Sequence, residues 1–327
     1  MRGWIGTLVL AGGLALADWG AGQGVAVWAR RALAGAEAAG QGGAEAVVAA
    51  GFPTRFGVSL EGPWGADADL RPLWALKQAR ITAPVWAPLS WQVDLPLPQQ
   101  VALRGRRFDL TGKTAGARLD LAAGRNLPVR GLDLQMQDPA LTWEAAAAPS
   151  LAARSVTITA QSAEGMGDYH VSGQLAGLAF PPGLAAALSR QAPLPDRIDS
   201  VTLRATVTFD RPFALIAEAP AVLVALDLAQ LELIWGGHRI RVSGHLTVAP
   251  DGIPEGTLTI ALSDFPVWLD FALSAGLVPP ERKAMLLAMG DYLARQSPDG
   301  SVQLPLSFDK GWISLAAIPL GPAPQLR

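Results

Sequence analysis

Polar and apolar residues alternate with a period of two over several stretches of the chain. In Arg154–Ala160 (RSVTITA), Val156, Ile158 and Ala160 alternate with Ser155, Thr157 and Thr159. From Val201 to Phe209 (VTLRATVTF), Val201, Leu203, Ala205, Val207 and Phe209 share one face, and Thr202, Arg204, Thr206 and Thr208 take the other. Arg239–Val248 (RIRVSGHLTV) and Gly256–Leu262 (GTLTIAL) repeat the pattern. Successive side chains of a strand point to opposite sides of the sheet, so each stretch predicts a half-buried strand. The links Ala249–Gly256 (APDGIPEG) and Phe308–Gly311 (FDKG) are short and turn-like, which favours antiparallel pairing.

The stretch Gly51–Trp64 (GFPTRFGVSLEGPW) opens the same texture. Phe56, Val58 and Leu60 fall on one face, and Arg55, Gly57, Ser59 and Glu61 on the other. Pro53 removes a ladder N–H and biases Phe52 toward an extended conformation, while Gly51 supplies backbone freedom. The stretch therefore reads as a hinge from a leader into the first strand, with Phe52 and Phe56 pinning the start of the sheet.

Helix signals are fewer. Residues Ala29–Ala50 are helix-permissive and weakly amphipathic. Pro279–Gly300 (PPERKAMLLAMGDYLARQSPDG) is the clearest helix, with Pro280 and Glu281 suited to its first turn. Met285, Leu286, Met289, Tyr292 and Leu293 form its apolar stripe. Phe265–Gly276 and Pro181–Gln191 are shorter candidates. The expected fold is mainly β, a β-rich α+β chain: a large curved antiparallel sheet, groove-like or sandwiched, with an N-terminal hydrophobic helix and a few covering helices. Its expected layout is residues 1–28 as signal peptide or membrane anchor and 29–50 as helical leader. Residues 51–327 form one β-rich domain, whose two sub-regions meet near 181–200.

The N-terminus bears on compartment. MRGWIGTLVLAGGLALADWG carries Arg2, an apolar run to Ala17, and an Ala15-Leu16-Ala17 cleavage pattern. Apolar character resumes at Trp19 and continues to Trp28, so a span from Trp4 to Trp28 is the competing reading. Both imply export, and the expected location is periplasmic, anchored in or moved across the inner membrane.

Composition then removes whole classes of function. The 327 residues hold 17% charged residues at a net charge of −2, which leaves no basic surface for nucleic acid. There is no Cys, which excludes disulfides, thiolate nucleophiles and Cys-ligated zinc. His238 and His245 are seven apart in one strand region, an odd separation that puts them on opposite faces; His170 is the third histidine. No H-E-x-x-H spacing and no G-x-S-x-G elbow occurs. Gly20–Gly24 (GAGQG) has neither the preceding strand nor the Lys of a phosphate loop. Asp67 and Asp69 read as solvated loop acids rather than cation ligands. No cofactor is expected. The 11 Trp, against two Tyr, suit surfaces that meet acyl chains or a membrane interface, although each one singly suits a core.

Several of these features together resemble exported envelope proteins of Gram-negative bacteria grouped as domain of unknown function 2125. The matching elements are the hydrophobic N-terminus, GFPTRF opening a strand, APVWAPLSW, VAPDGIPEGTLTIAL and the closing DKGWISLAAIPLGPAPQL. Gly51, Phe52, Pro53, Arg55 and Phe56 carry the most specific part. The family is similar to AsmA-like proteins, and that likeness implies an anchor leading into a curved sheet with an apolar inner face that moves or shields lipid. It defines no catalytic residue. The expected protein is thus non-enzymatic, with Val201, Leu203, Val207, Phe209, Ile240, Val242, Leu258 and Ile260 lining a groove for lipid or another apolar envelope component. A closed sandwich core would use the same residues. An assembly factor that binds through a sheet edge and an unrecognised periplasmic hydrolase are the alternative functions.

Overall fold

The computed structural model describes residues 21–38, 40, 42–66, 71–124, 126–143, 151–163, 167–181, 183, 185, 194–214, 221–315 and 318–326. The chain is mainly β, at 58% strand and 15% helix. The described residues form 22 strands, and the strand pairings among them are antiparallel. Two compact units divide the chain. The first holds residues 1–150, 155–167 and 211–221; the second holds 151–154, 168–210 and 222–327.

The first unit begins with helix α1 (Ala21–Ala38), followed by β1 (Gly42–Gly43), β2 (Ala46–Ala50), β3 (Arg55–Glu61) and β4 (Trp64–Ala66). Then come β5 (Pro72–Leu76), β6 (Gln78–Pro84), β7 (Ser90–Asp94), β8 (Gln99–Leu103) and β9 (Arg106–Thr111). β10 (Thr114–Leu121), β11 (Val129–Gln137), β12 (Ala140–Trp143) and, after β13 (Leu151–Ala152) of the second unit, β14 (Ser155–Ser162) complete it. They pair as two ladders. One runs β2-β3-β6-β7-β10-β11-β14. The other runs β1-β4-β5-β8-β9-β12. Each long strand of the meander is thereby broken in two, one half in each ladder. The breaks fall at Ala44-Glu45, Gly62-Pro63, Lys77, Leu95–Pro98, Gly112-Lys113 and Asp138-Pro139, most of them at a proline or glycine. A proline has no N–H to give a ladder and glycine adopts geometries that turn a strand, so these residues mark where partners change.

Tryptophans support the second ladder. Gly43 lies opposite Trp64 and Gly65 opposite Trp74. A Cβ on Gly65 would stand 2.7 Å from the Trp74 indole nitrogen, and one on Gly43 2.9 Å from that of Trp64. Each ring lies over the glycine of its neighbour and covers backbone that would otherwise be bare.

The core of this unit packs Ala29 and Leu33 of α1 against Val47, Phe56, Val58, Leu60, Ala83, Trp91, Leu121 and Val129. The Phe56 and Trp91 rings meet edge to face at 5.5 Å. Arg30 donates from Nε and Nη2 to the Val47 carbonyl at 3.2 and 2.9 Å, tying the helix to β2. The helical leader expected to reach Ala50 stops at Ala38. Residues Ala46–Ala50 are instead a strand in register with Gly57–Glu61, so cross-strand pairing overrides alanine's helix preference. Gly51–Thr54 is accordingly the turn of a hairpin between two strands, not a hinge out of a helix, with the Arg55 N–H on the Gly51 carbonyl at 2.9 Å. Among the described residues no helix is long and apolar enough to cross a membrane. The expected cleavage site and most of the expected span, residues 1–20, lie outside the described residues.

The second unit is a meander: β13, β15 (Asp168–Ala179), β16 (Arg197–Phe209), β17 (Leu223–Trp235), β18 (His238–Val248), β19 (Pro254–Leu262), β20 (Val302–Asp309), β21 (Trp312–Leu315) and β22 (Ile318–Pro322). Gly236-Gly237 and Lys310-Gly311 make two-residue hairpin turns with positive φ at both positions, which match the twist of the flanking strands. Between β19 and β20 the chain forms α2 (Phe265–Ser274), a 3-10 turn at Pro280–Arg282 and α3 (Lys283–Gln296). Trp268 of α2 and Leu293 and Ala294 of α3 join Trp235, Leu262, Val302 and Leu304 in one core. The apolar stripe expected of α3 holds only at Leu286, Met289 and Leu293. Met285 and Tyr292 are exposed, while Gly290 is buried between Leu286 and Leu293. Most of the helix expected at Pro181–Gln191, and the Asp67–Asp69 loop, lie outside the described residues.

Candidate functional site

The second unit gathers the eight aliphatic and aromatic residues singled out in its strands onto one face of the sheet, joined through β17 and β20. Four rungs cross five strands. Val201–Leu233–Ile240–Leu262–Val302 is the first and Leu203–Leu231–Val242–Ile260–Leu304 the second. Ala205–Leu228–Gly244–Leu258–Leu306 and Val207–Leu226–Leu246–Gly256–Phe308 follow. Phe209 lies beyond the fourth rung, edge to face with Tyr169 at 5.9 Å.

The rungs differ in cover. Val201, Ile240 and Ile260 pack against the core that α2 and α3 close. Leu203, Val207, Phe209, Val242 and Leu258 lie outside that core and stay half-buried, as do Leu226, Leu231 and Leu306 beside them. The helices thus cover one end of the apolar face; beyond them half-buried side chains alternate with Ala205, Leu228 and Leu246, which are buried outside that core. Gly244 lies in the third rung. Its φ is 143°, and a Cβ there would stand 2.8 Å from the Leu258 Cα, so β18 and β19 approach more closely than a side chain permits. The β17 and β20 leucines were hidden in the sequence. A bulge at Ala229-Gln230 shifts the register, so the alternation of LVALDLAQLELIW slips by one residue midway.

The other face of this sheet is polar. Arg239 and Arg241 both reach Glu232, at 3.4 and 2.9 Å, and Thr208 donates to Asp168 at 2.6 Å. His238 and His245 stand on opposite faces of β18, as their odd separation requires. His238 Nδ1 meets Asp264 at 3.0 Å. Among the described residues no three His, Asp or Glu side chains gather where they could hold a metal ion.

The GFPTRF residues build a second feature, in the first unit. Phe56 is buried, but Phe52 is 75% exposed, so only Phe56 pins the start of the strand. Gly51 and Arg55 line an open groove of about 490 Å³ with Ala50, Arg80, Thr82, Gln92 and Asp94. Arg55 donates from Nε to Thr82 Oγ1 at 3.0 Å and from Nη2 to Gln92 Oε1 at 2.9 Å. Gln92 in turn donates to Asp94 Oδ1 at 2.8 Å. Thr82 is only 3% exposed, so the arginine is braced on a fixed hydroxyl. Gly51 makes this possible. At φ 95° it folds the turn onto Arg55, and a Cβ there would stand 2.9 Å from the Arg55 Cβ. The sequence flagged these residues as geometry. The signal it did not give was the cross-strand reach of Arg55 to β6 and β7, which depends on register.

No curated protein and no solved structure matches this chain. A family model matches residues 15–324, nearly the whole length, so the chain belongs to the family of uncharacterized proteins conserved in bacteria known as DUF2125.

Proposed function

We propose that this protein is a non-enzymatic, AsmA-like component of the Gram-negative envelope that binds or shields lipid along the apolar face of its second unit. One observation carries the reading: the half-buried strip formed by Leu203, Val207, Phe209, Leu226, Val242 and Leu258 beyond the cover of the helices. Apolar side chains left partly in water favour an apolar occupant by about 25 cal/mol for each Å² it covers. An alkyl chain suits the strip, since it is aliphatic and offers no charged side chain along the rungs. The edge-pairing alternative is disfavoured at β22, where Pro319 and Pro322 remove two of the N–H groups that an added strand would need.

The test is lipid extraction with mass spectrometry on the purified chain, together with Val207→Glu and Leu258→Glu, measured for binding of a fluorescent fatty acid. The expected result is co-purifying lipid in the wild type and at least ten-fold weaker probe binding in both variants, with the β circular-dichroism signal retained. Ile240→Glu, in the helix-covered core, is expected to unfold the unit instead. No extractable lipid, together with probe binding unchanged in folded Val207→Glu and Leu258→Glu proteins, overturns the reading.

A further inference from the structure

Two adjacent turns at one end of the first unit's sheet expose apolar side chains side by side. The β2–β3 turn carries Phe52, 75% exposed, and the β6–β7 turn carries Val85 at 42% and Trp86 at 73%. The Val85 N–H donates to the Thr54 carbonyl at 3.1 Å, and Arg55 lies opposite Pro84, so the two turns form one tip. Single exposed apolar residues are ordinary on a protein surface. Two large rings and a valine together on paired turns are not.

The groove described above adjoins this tip, and its charges point to what the tip meets. Arg80 is exposed, and among the described residues its guanidinium has neither a hydrogen bond nor an ion pair. Arg55 is held by two neutral oxygens, leaving its Nη1 hydrogens available at the groove. Against these two positive charges stands one carboxylate, Asp94, one of whose oxygens accepts from Gln92. The groove is therefore net positive, and planar guanidinium groups are suited to phosphate oxygens. Aromatic rings favour the interface between lipid tails and headgroups, and arginines beside them favour anionic headgroups. From this juxtaposition we infer that the Phe52–Trp86 tip is a membrane-docking element. It seats Phe52, Val85 and Trp86 in the interfacial layer of a phospholipid bilayer, while Arg55 and Arg80 hold lipid phosphate.

The chain has no cysteine, so one introduced thiol reports on one place. Val85→Cys is labelled with an environment-sensitive NBD dye in the full-length chain, which keeps both rings, and titrated with vesicles. Phosphatidylglycerol vesicles are expected to shift the emission to the blue and raise its intensity, and phosphatidylcholine vesicles to do so only weakly. The same dye on Arg106→Cys, at the β8–β9 turn in the other ladder of the same unit, is expected to stay unshifted, which separates insertion of the tip from adsorption of the chain by its hydrophobic N-terminus. Phe52→Ser with Trp86→Ser is expected to abolish the shift. Arg80→Gln is expected to weaken the apparent affinity about five-fold, the effect of one arginine at an anionic surface. A dye at position 85 that stays water-exposed while the chain sediments with vesicles overturns the inference. So does an equal shift at position 106, or a response indifferent to both Arg80→Gln and the paired serine change.

Discussion

Pro53 and Gly51 announce a change of chain direction, but nothing local says whether the residues before them are helix or strand. Ala46–Ala50 are permissive for both, and the choice is made by β3, whose backbone accepts them in register. Phe52 and Phe56 illustrate the same limit, for one lies in water and the other in the core four residues later. Asp299 is a case where local sequence is enough. In Ser297-Pro298-Asp299-Gly300-Ser301 its carboxylate accepts from the hydroxyls of Ser297 and Ser301, each at 2.7 Å, and from the Ser301 N–H at 3.1 Å. These bonds hold its pKa well below the usual carboxylate range, the Ser297 hydroxyl contributing most. A depressed carboxylate pKa favours the folded turn at pH above the ordinary aspartate value of about 3.9, and that contribution is lost as pH falls through the lower folded value. The Asp299 carboxyl resonance is therefore expected to titrate below the ordinary range by NMR. Ser297→Ala with Ser301→Ala is expected to move its midpoint up toward about 3.9.

Among the elements, β16, β18, β19 and, in the first unit, β14 and β3 were the most legible, because alternation such as that of Val201–Phe209 or Arg239–Val248 follows directly from one wet and one dry face. The other broken strands of the first unit were not. Their halves are short, and Gly62-Pro63 or Pro139 reads equally well as a loop between separate strands or as a joint within one. Helix α3 shows how packing edits a helical pattern. Its existence is plain from the sequence, yet its buried centre is a glycine, and two of the apolar residues assigned to its stripe face outward. Gly290→Ala tests why. Alanine gains about 1 kcal/mol of helix propensity over glycine in a helix interior. Its Cβ would overlap the Phe265 ring, which packs against the core of α2 and the sheet. Overpacking of that kind costs typically 1–3 kcal/mol, and the overlapped atoms belong to a rigid ring rather than to the end of a flexible chain. The overlap wins, and Gly290→Ala is expected to destabilise the chain by about 1 kcal/mol, read as a lower urea midpoint. A midpoint that rises would mean that the ring moves freely and that α3 is loosely held.

For the whole molecule, the separation of two core clusters among the described residues matters more than the number of strands. Leu60 packs with Val47, Phe56, Val58, Ala83 and Trp91, and Val302 packs with Trp235, Leu262, Trp268 and Leu304. No residue belongs to both sets. Composition could set the total of apolar residues but not its partition, since the same alternating strands of one large antiparallel sheet would serve one shared core or two separate ones. The partition has a thermodynamic signature. Truncating Leu60 to Ala is expected to cost about 2–5 kcal/mol, from lost transfer energy and the cavity left behind. Val302→Ala loses two methyl groups, each worth about 0.8 kcal/mol before any cavity contribution, so about 2 kcal/mol. Residues with no common neighbour do not share a cavity, so the double variant is expected to lose the sum of the single losses to within about 0.5 kcal/mol. Urea unfolding followed by circular dichroism measures all three. Should the units unfold in separate transitions, each substitution is expected to move its own transition and leave the other in place. A coupling larger than about 1 kcal/mol would mean that the two cores lean on common structure, and the division into two independently packed units would have to be abandoned.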